Sequence, residues 1–317
     1  MLLNQEQTQA DQALLQLGRR LRADGYRFTC VTPATHARNN AREGAERART
    51  LRDVFGWSRP FPPSLLSLDE LEQLRTAQVL EEAGERLRAK VRWSNLDDLL
   101  LVHSAFPTEA SDAVFFGPDS YRFAQVIHDH LQRSPSRVQH AVDIGCGTGI
   151  GALIIARAAP HAQVSALDIN PLALRYTAIN TALAGVGNVS VEPSDLLDGV
   201  SGTFDLIVAN PPYMLDAGQR VYRHGGGALG AQLSLRIVEQ ACQRLAPGGT
   251  LLLYTGVAIV EGRDALLHAI RLRLAGPQWS WVYREVDPDV FGEQLLEPGY
   301  QQVERIAAVA LSVTRSG

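Results

Sequence analysis

The sequence predicts an α/β fold, a doubly wound and mostly parallel sheet preceded by a mainly helical cap, and three segments carry that prediction. The first is Ala141-Val142-Asp143-Ile144-Gly145-Cys146-Gly147-Thr148-Gly149, an apolar β-branched run that ends in glycines and leads into helical spacing over 150–159. The second is a short apolar run over 164–167 that ends in Asp168. The third, over 204–209, delivers Asn210-Pro211-Pro212-Tyr213 at its end. Strands that alternate with helical patterns build parallel sheets covered on both faces.

Taken in order, residues 5–80 predict helices. Leu14, Leu17 and Leu21 recur at helical spacing, and Ser67 to Glu70 forms a capping box ahead of Leu71 and Leu74. Phe61-Pro62-Pro63 separates two of these helices. Residues 87–93 and 99–103 predict short strands around the turn signal Ser94-Asn95. Helices followed by a hairpin suggest a winged-helix-like module or a helical cap with a linking hairpin, so the chain divides into a cap over 1–104 and a second domain over 105–317. The stretch from Arg19 to Arg59 is rich in arginine, including Arg38, Arg42, Arg47, Arg49 and Arg52. Glu43, Glu46 and Asp53 interleave with it, which favours a solvated helix with local ion pairs over a nucleic-acid face.

After Phe106-Pro107 comes Val114-Phe115-Phe116-Gly117-Pro118-Asp119-Ser120-Tyr121, an aromatic segment ahead of the glycine turn. At the turn, Gly145, Gly147 and Gly149 let the backbone reverse sharply and let a ligand come closer than a Cβ permits. That fingerprint alone suits a dinucleotide, whose pyrophosphate would rest on the helix N-terminus. Asp168, 23 residues after Gly145, can accept hydrogen bonds from both hydroxyls of a ribose, which leaves a dinucleotide or S-adenosylmethionine. Cys146 inside the turn has no catalytic partner nearby in sequence and reads as a small buried thiol.

The motif at 210–213 separates those two ligands. In open parallel sheets ligands bind outside the carboxyl ends of the strands. Pro211 and Pro212 lack N–H groups and fix φ, so the carbonyls of Asn210 and Pro211 are available to a ligand. A side-chain amide oxygen beside a backbone carbonyl accepts both protons of an NH2 group, and Tyr213 offers a flat face to the π system that carries it. Next comes Tyr222-Arg223-His224-Gly225-Gly226-Gly227-Ala228-Leu229-Gly230, a mobile or closely approached loop in which Arg223 is a candidate carboxylate ligand and His224 a weaker candidate base. A helix over 233–245, a turn at 246–249, a strand over 250–254 and an antiparallel pair over 279–286 and 305–313 complete the fold. The segment from Asp287 to Gly292 is assigned no role.

With these residues in place, the chain resembles the class I S-adenosylmethionine-dependent methyltransferases, in particular the branch with an Asn-Pro-Pro-Tyr motif that modifies glutamine amides in release factors and exocyclic amines of bases. The resemblance covers about residues 105–313 and implies a seven-stranded methyltransferase sheet. It implies that Asp143, Gly145, Gly147 and Asp168 hold S-adenosyl-L-methionine, together with Asp195 near the adenine amine and Asn210; the plainer reading makes Asp143 a cap of the turn and Asp195 a solvated acid. It makes Asn210, Pro211 and Tyr213 the catalytic set. It also implies that the segment before the turn closes over the cofactor and helps wall the acceptor pocket, so that Phe115, Phe116 and Tyr121, with Arg223, line the substrate pocket and the aromatics pack against the sulfonium, or else the aromatics pack the cap onto the sheet. Release-factor enzymes carry an acid-proline segment at 222–230 that is absent here, which ranks a small metabolite or a nucleobase above a protein glutamine as acceptor.

Composition bounds the rest. The chain has 317 residues, enough for two domains, and a net charge of −4 with Lys90 as its single lysine, which gives no strong nucleic-acid signature. Three scattered cysteines imply a reducing compartment, and neither a signal peptide nor a membrane-spanning run is visible, so a cytoplasmic location is expected. No metal site is predicted. The reading is therefore an N-methyltransferase acting on a planar amine or amide. Its alternative is an enzyme that closes the cofactor's own aminobutyrate chain into azetidine-2-carboxylate and releases methylthioadenosine; a third reading is a binding module that has lost the chemistry.

Overall fold

Leu14, Leu17 and Leu21 lie on one face of α1 (Gln5–Ala23) and are fully buried, as their spacing predicts. The computed structural model describes residues 5–132, 138–215, 223, 225–226 and 228–317. After α1 come α2 (Pro33–Asn40), α3 (Leu51–Phe55), a 3₁₀ turn (Pro63–Leu65) and α4 (Leu68–Thr76), where Ser67 and Glu70 form the anticipated capping box. The arginine-rich stretch departs from the expected helix with ion pairs. Residues 41–50 are not helical, and Asp53 is committed to the Thr50 cap and to Arg59 at 2.6 Å. Among the described residues, Arg38, Arg42, Arg47, Arg49 and Arg52 form no ion pair.

Two hairpins end the cap, β1 (Leu80–Ala83) with β2 (Arg86–Ala89), and β3 (Val91–Leu96) with β4 (Leu99–Ser104). The second reverses at Asp97-Asp98, with Asp97 at φ 53°, and not at Ser94-Asn95 as expected. The cause is tertiary: the Ser94 hydroxyl bonds His103 Nε2 at 2.8 Å across the hairpin, and Asn95 Oδ1 accepts from Phe28 N at 2.9 Å. Both polar side chains thus sit inside a strand because partners elsewhere satisfy them.

The remaining elements are α5 (Pro118–Leu131), β5 (His140–Ile144), α6 (Ile150–Ala158), β6 (Gln163–Asp168), α7 (Pro171–Ala184), β7 (Val189–Pro193), β8 (Phe204–Ala209), α8 (Gln232–Arg244), β9 (Leu245–Val260), β10 (Arg263–Asp264), α9 (Ala265–Arg273), β11 (Trp279–Asp287) and β12 (Arg305–Arg315). The main sheet runs β11-β12-β9-β8-β5-β6-β7, with the two-residue β10 paired to β9. Strands β5 to β9 pair in parallel; β12 is antiparallel to both β9 and β11. This is the doubly wound, mostly parallel sheet that the sequence predicts.

Alternation along β8 shows how both faces fill: Leu206 and Val208 join the core beneath α5 and α6, whereas Ile207 and Ala209 join the core beneath α8 and α9. The cap's own core extends onto the sheet domain, because Tyr176, Ile179 and Leu183 of α7 pack with Leu14, Leu17 and Leu21. Strand order reverses at β5, from which the chain winds toward β7 on one side and β9 on the other. A crevice therefore opens at the carboxyl ends of β5, β6 and β8. Among the described residues no helix is long and apolar enough to cross a membrane.

Candidate active site

The end of β5 supplies Asp143, whose buried carboxylate accepts from Ala152 N at 2.9 Å and so ties the glycine turn to the first turns of α6. The structure thus gives Asp143 the capping contact of its plainer reading. Burial pushes its carboxyl up to about 7. An unfolded carboxyl ionises near 4, so between about pH 4 and 7 the unfolded chain has released this proton while the folded chain keeps it. Stability falls as pH rises through that window. The variant Asp143→Asn is expected to flatten part of this fall in urea midpoints measured across it; parallel slopes would remove Asp143 as a source.

Gly145 and Gly147 turn with φ of 66° and 55°, a region that a side chain strains to enter. A Cβ at Gly145 would stand in open space, within the cleft itself. Asp168, at the end of β6, is 8% exposed, and its carboxylate accepts from Gly147 N at 3.0 Å and Asn170 N at 2.9 Å. One backbone donor on each oxygen fixes the carboxylate and leaves a lone pair on each for a ligand. Asn170 caps α7 and donates to the carbonyl of Asp112 at 2.7 Å, which fastens the segment before α5 to the cleft. Asp195, beyond β7, lies on the cleft wall and pairs with Arg236 at 3.3 Å. Ile169, 59% exposed, and Leu196 add apolar walls beside it. The Cys146 thiol is buried 3.4 Å from the Thr177 hydroxyl, and burial pushes its pKa well up, which fits a small buried thiol.

At the end of β8 the Asn210 carboxamide has no hydrogen-bond partner among the described residues. Asn210, Pro211, Pro212 and Phe115 line two adjoining cavities: the cleft that holds the glycine turn, and a smaller one bounded by Asp119, Tyr213, Met214, Arg223 and Phe291. The Tyr213 ring meets Phe291 edge to face, with centroids 6.2 Å apart. Its hydroxyl donates to the buried Asp119 carboxylate, which also accepts from Tyr254 at 2.8 Å and Arg122 at 3.3 Å. Gly256 on β9 lies directly against the Tyr213 ring, and an alanine Cβ there would fall 2.1 Å from Cε2. Gly256→Ala is therefore expected to displace the ring and lower kcat roughly tenfold or more. Cofactor affinity measured by calorimetry should stay within about twofold; an unchanged kcat would mean that the ring position is immaterial.

Of the three aromatics expected over the cofactor, only Phe115 reaches the cavities. Phe116 is fully buried between Tyr121 and His103, with centroids 5.2 and 5.3 Å away. Tyr121 joins cap to sheet domain: its hydroxyl donates to Asn95 O and accepts from Cys30 N, each at 2.9 Å. These two fill the second role foreseen for the segment: Phe116 lies in the extended chain before α5, where neighbours point to opposite sides, and Tyr121 stands in α5 on the side that meets the cap. Arg223 lines the smaller cavity and donates to Gln294 Oε1. His224, Tyr222 and Gly227 lie outside the described residues. The glycines of this loop permit close approach: Gly225 N donates to Met214 O at 2.9 Å, and a Cβ at Gly230 would stand 2.0 Å from the Tyr213 carbonyl.

Two parts of the site escaped the sequence reading. Asp119 carried no signal beyond its place in the first turn of α5. The loop after β11, given no role, brings Phe291 and Gln294 over the motif, and nothing local in its sequence marks it.

Comparison with known proteins accords with this geometry. A profile described as "Methyltransferase small domain" matches residues 113–258. The chain is 39% identical over 163 residues to the release factor glutamine methyltransferase of Deinococcus radiodurans, a match that spans 48% of this chain and about half, 55%, of that protein. It is 30% identical over 221 residues to the ribosomal protein uL3 glutamine methyltransferase of Neisseria gonorrhoeae, spanning 63% of this chain and 72% of that one. Among solved structures, a SAM-dependent methyltransferase from Agrobacterium tumefaciens superposes with a TM-score of 0.50 at 15% identity, over 75% of this chain and 72% of that one; this shows a shared fold.

Proposed function

From the premise that this chain belongs to the class I S-adenosylmethionine-dependent methyltransferases of the Asn-Pro-Pro-Tyr branch, we propose that it methylates the side-chain amide nitrogen of a glutamine in a protein of the translation machinery. The observation that carries this reading is the Asn210 carboxamide, which has no hydrogen-bond partner among the described residues, on the wall shared by the two cavities. One cavity fits the cofactor and the other a foreign acceptor.

The fit to the cofactor rests on the cleft's own features. Open space at Gly145, the fixed carboxylate of Asp168, and Asp195 with the apolar Ile169 and Leu196 suit a methionine portion, a ribose and a flat base with an amine. When bound, S-adenosylmethionine supplies an electrophilic methyl group on a positively charged sulfur. Asn210 Oδ1 and the Pro211 carbonyl accept the two N–H protons of the acceptor amide and so hold its nitrogen toward the cleft. Tyr213 and Phe115 flank the amide plane and exclude water, and Arg223 borders the entrance. Methyl transfer is an in-line displacement that asks little of acids or bases, so alignment of this kind supplies several kcal/mol of the barrier reduction, on the order of 7 or more in well-oriented systems.

This puts a protein glutamine ahead of the metabolite or nucleobase that the missing acid-proline segment favoured. The order changes because both relatives are named glutamine methyltransferases and because that segment falls in a loop only partly described. Closing the cofactor's own chain would make no use of a second cavity behind Asn210, which disfavours that reaction. The reading brings a cytoplasmic location with it and keeps the cap as residues 1–104, a body joined to the methyltransferase domain at α7.

The test is to incubate the enzyme with methyl-labelled cofactor and, separately, a release factor, ribosomal protein uL3, a tRNA pool and a small-metabolite extract. Peptide mapping is expected to place the label on a glutamine amide of one of the proteins. Label confined to the tRNA or the metabolites would overturn the proposal.

A further inference from the structure

The acid that holds the motif tyrosine lies in the aromatic segment before the glycine turn but has itself been given no catalytic role. Asp119 is 3% exposed and stands in the first turn of α5, where the helix N-terminus favours a negative charge. A buried carboxylate is tolerated only when its oxygens are satisfied. Here Oδ2 accepts from the Tyr213 hydroxyl, and Oδ1 accepts from the Tyr254 hydroxyl at 2.8 Å and from Arg122 at 3.3 Å. Arg122 also reaches Asp287 at 2.6 Å, at the root of the loop that carries Phe291. One carboxylate thus joins α5, the motif, β9 and the loop after β11, which are the elements that bound the smaller cavity.

The Tyr213 ring is consequently fixed at two points. Asp119 holds its hydroxyl, and Gly256 receives its edge so closely that no other residue fits beneath it. Neither contact involves the cofactor cleft's glycine turn or Asp168. We propose that Asp119 is a positioning residue for the acceptor: by holding Tyr213 at one angle it sets the face against which the acceptor amide lies. This rests on the proposed acceptor cavity but holds for whichever planar acceptor the enzyme uses.

The experiment compares Asp119→Ala, Tyr213→Phe, the double variant and Tyr254→Phe, each in the full chain and with the acceptor that the wild-type enzyme methylates. Asp119→Ala and Tyr213→Phe are each expected to lower kcat about tenfold or more, and the double variant should fall no further than Asp119→Ala alone, because both remove the Tyr213–Asp119 contact. Cofactor affinity by calorimetry should move less than about twofold in all of them. Tyr254→Phe removes a bond to the other oxygen of the same carboxylate, from a side chain that does not line the smaller cavity. It should lower the melting temperature as Tyr213→Phe does and change kcat by less than about threefold.

A purely structural carboxylate predicts otherwise: kcat would track melting temperature, and Tyr254→Phe would cost as much activity as Tyr213→Phe. That result, additive losses, or full kcat in Asp119→Ala would overturn the proposal. If Asp119→Ala does not fold, the contrast between the two tyrosine variants decides alone. Wild-type enzyme that methylates a nucleobase and not a glutamine would refute the proposed substrate and leave this comparison intact.

Discussion

Asn210→Ala is expected to lower kcat for methyl transfer by roughly 10²- to 10³-fold, the range seen when one preorganised polar contact to a reacting group is removed. Cofactor affinity should stay within about threefold of wild type, because the contacts that fix the cofactor cleft, Gly147 with Asp168 and Ala152 with Asp143, do not involve this side chain. The separation follows from where Asn210 stands. It lies on the wall between the cavities, and its carboxamide has no partner among the described residues, so its removal leaves no buried group orphaned and should cost little stability. Asn210→Asp is informative beside it, since a carboxylate still accepts hydrogen bonds but adds a negative charge close to the sulfonium position. Steady-state kinetics with calorimetry on the same preparations check both. Equal losses in kcat and cofactor affinity would make Asn210 a structural residue.

Asp168→Ala should do the opposite. Each carboxylate oxygen holds one backbone N–H and retains a lone pair, so the two ribose hydrogen bonds proposed for it are lost along with the anchor of Gly147. The expected weakening of cofactor binding is about 1–3 kcal/mol, or roughly 5- to 150-fold in Kd. The larger end is favoured because the half-buried donor of Gly147 and the buried donor of Asn170 lose their partner, which loosens the turn proposed to receive the cofactor. The kcat at saturating cofactor should fall much less. A calorimetric titration that finds Kd unchanged would remove the ribose assignment from Asp168 and reopen the question of what the glycine turn binds.

What the sequence disclosed and what it hid follow from the range of the interactions concerned. The placement of the glycine turn, Asp168 and the Asn-Pro-Pro-Tyr segment at strand ends was legible because each is written in a few consecutive residues whose backbone geometry is local: a left-handed turn, a strand end, two fixed φ angles. The capping box at Ser67 and Glu70 was legible for the same reason. Asp119 and Tyr213 are 94 residues apart, Arg122 and Asp287 are 165 apart, and no local pattern announces such a pairing. The misplaced hairpin turn has the same origin, since Ser94 and Asn95 look like turn residues until His103 and Phe28 are known to be their partners. Phe116 and Tyr121 went astray because aromatic composition is silent about which side of the chain, extended at Phe116 and helical at Tyr121, faces the cavity and which faces the core.

The central claim is that Asn210 presents a foreign planar amide to the cofactor, and product identification by mass spectrometry tests it most directly. Enzyme would be incubated with S-adenosylmethionine alone, and then with a release factor or ribosomal protein uL3 added. The account predicts an unchanged cofactor in the first case, and in the second S-adenosylhomocysteine together with a glutamine heavier by one methyl group. Methylthioadenosine with a cyclised amino acid, formed without any acceptor, would contradict it.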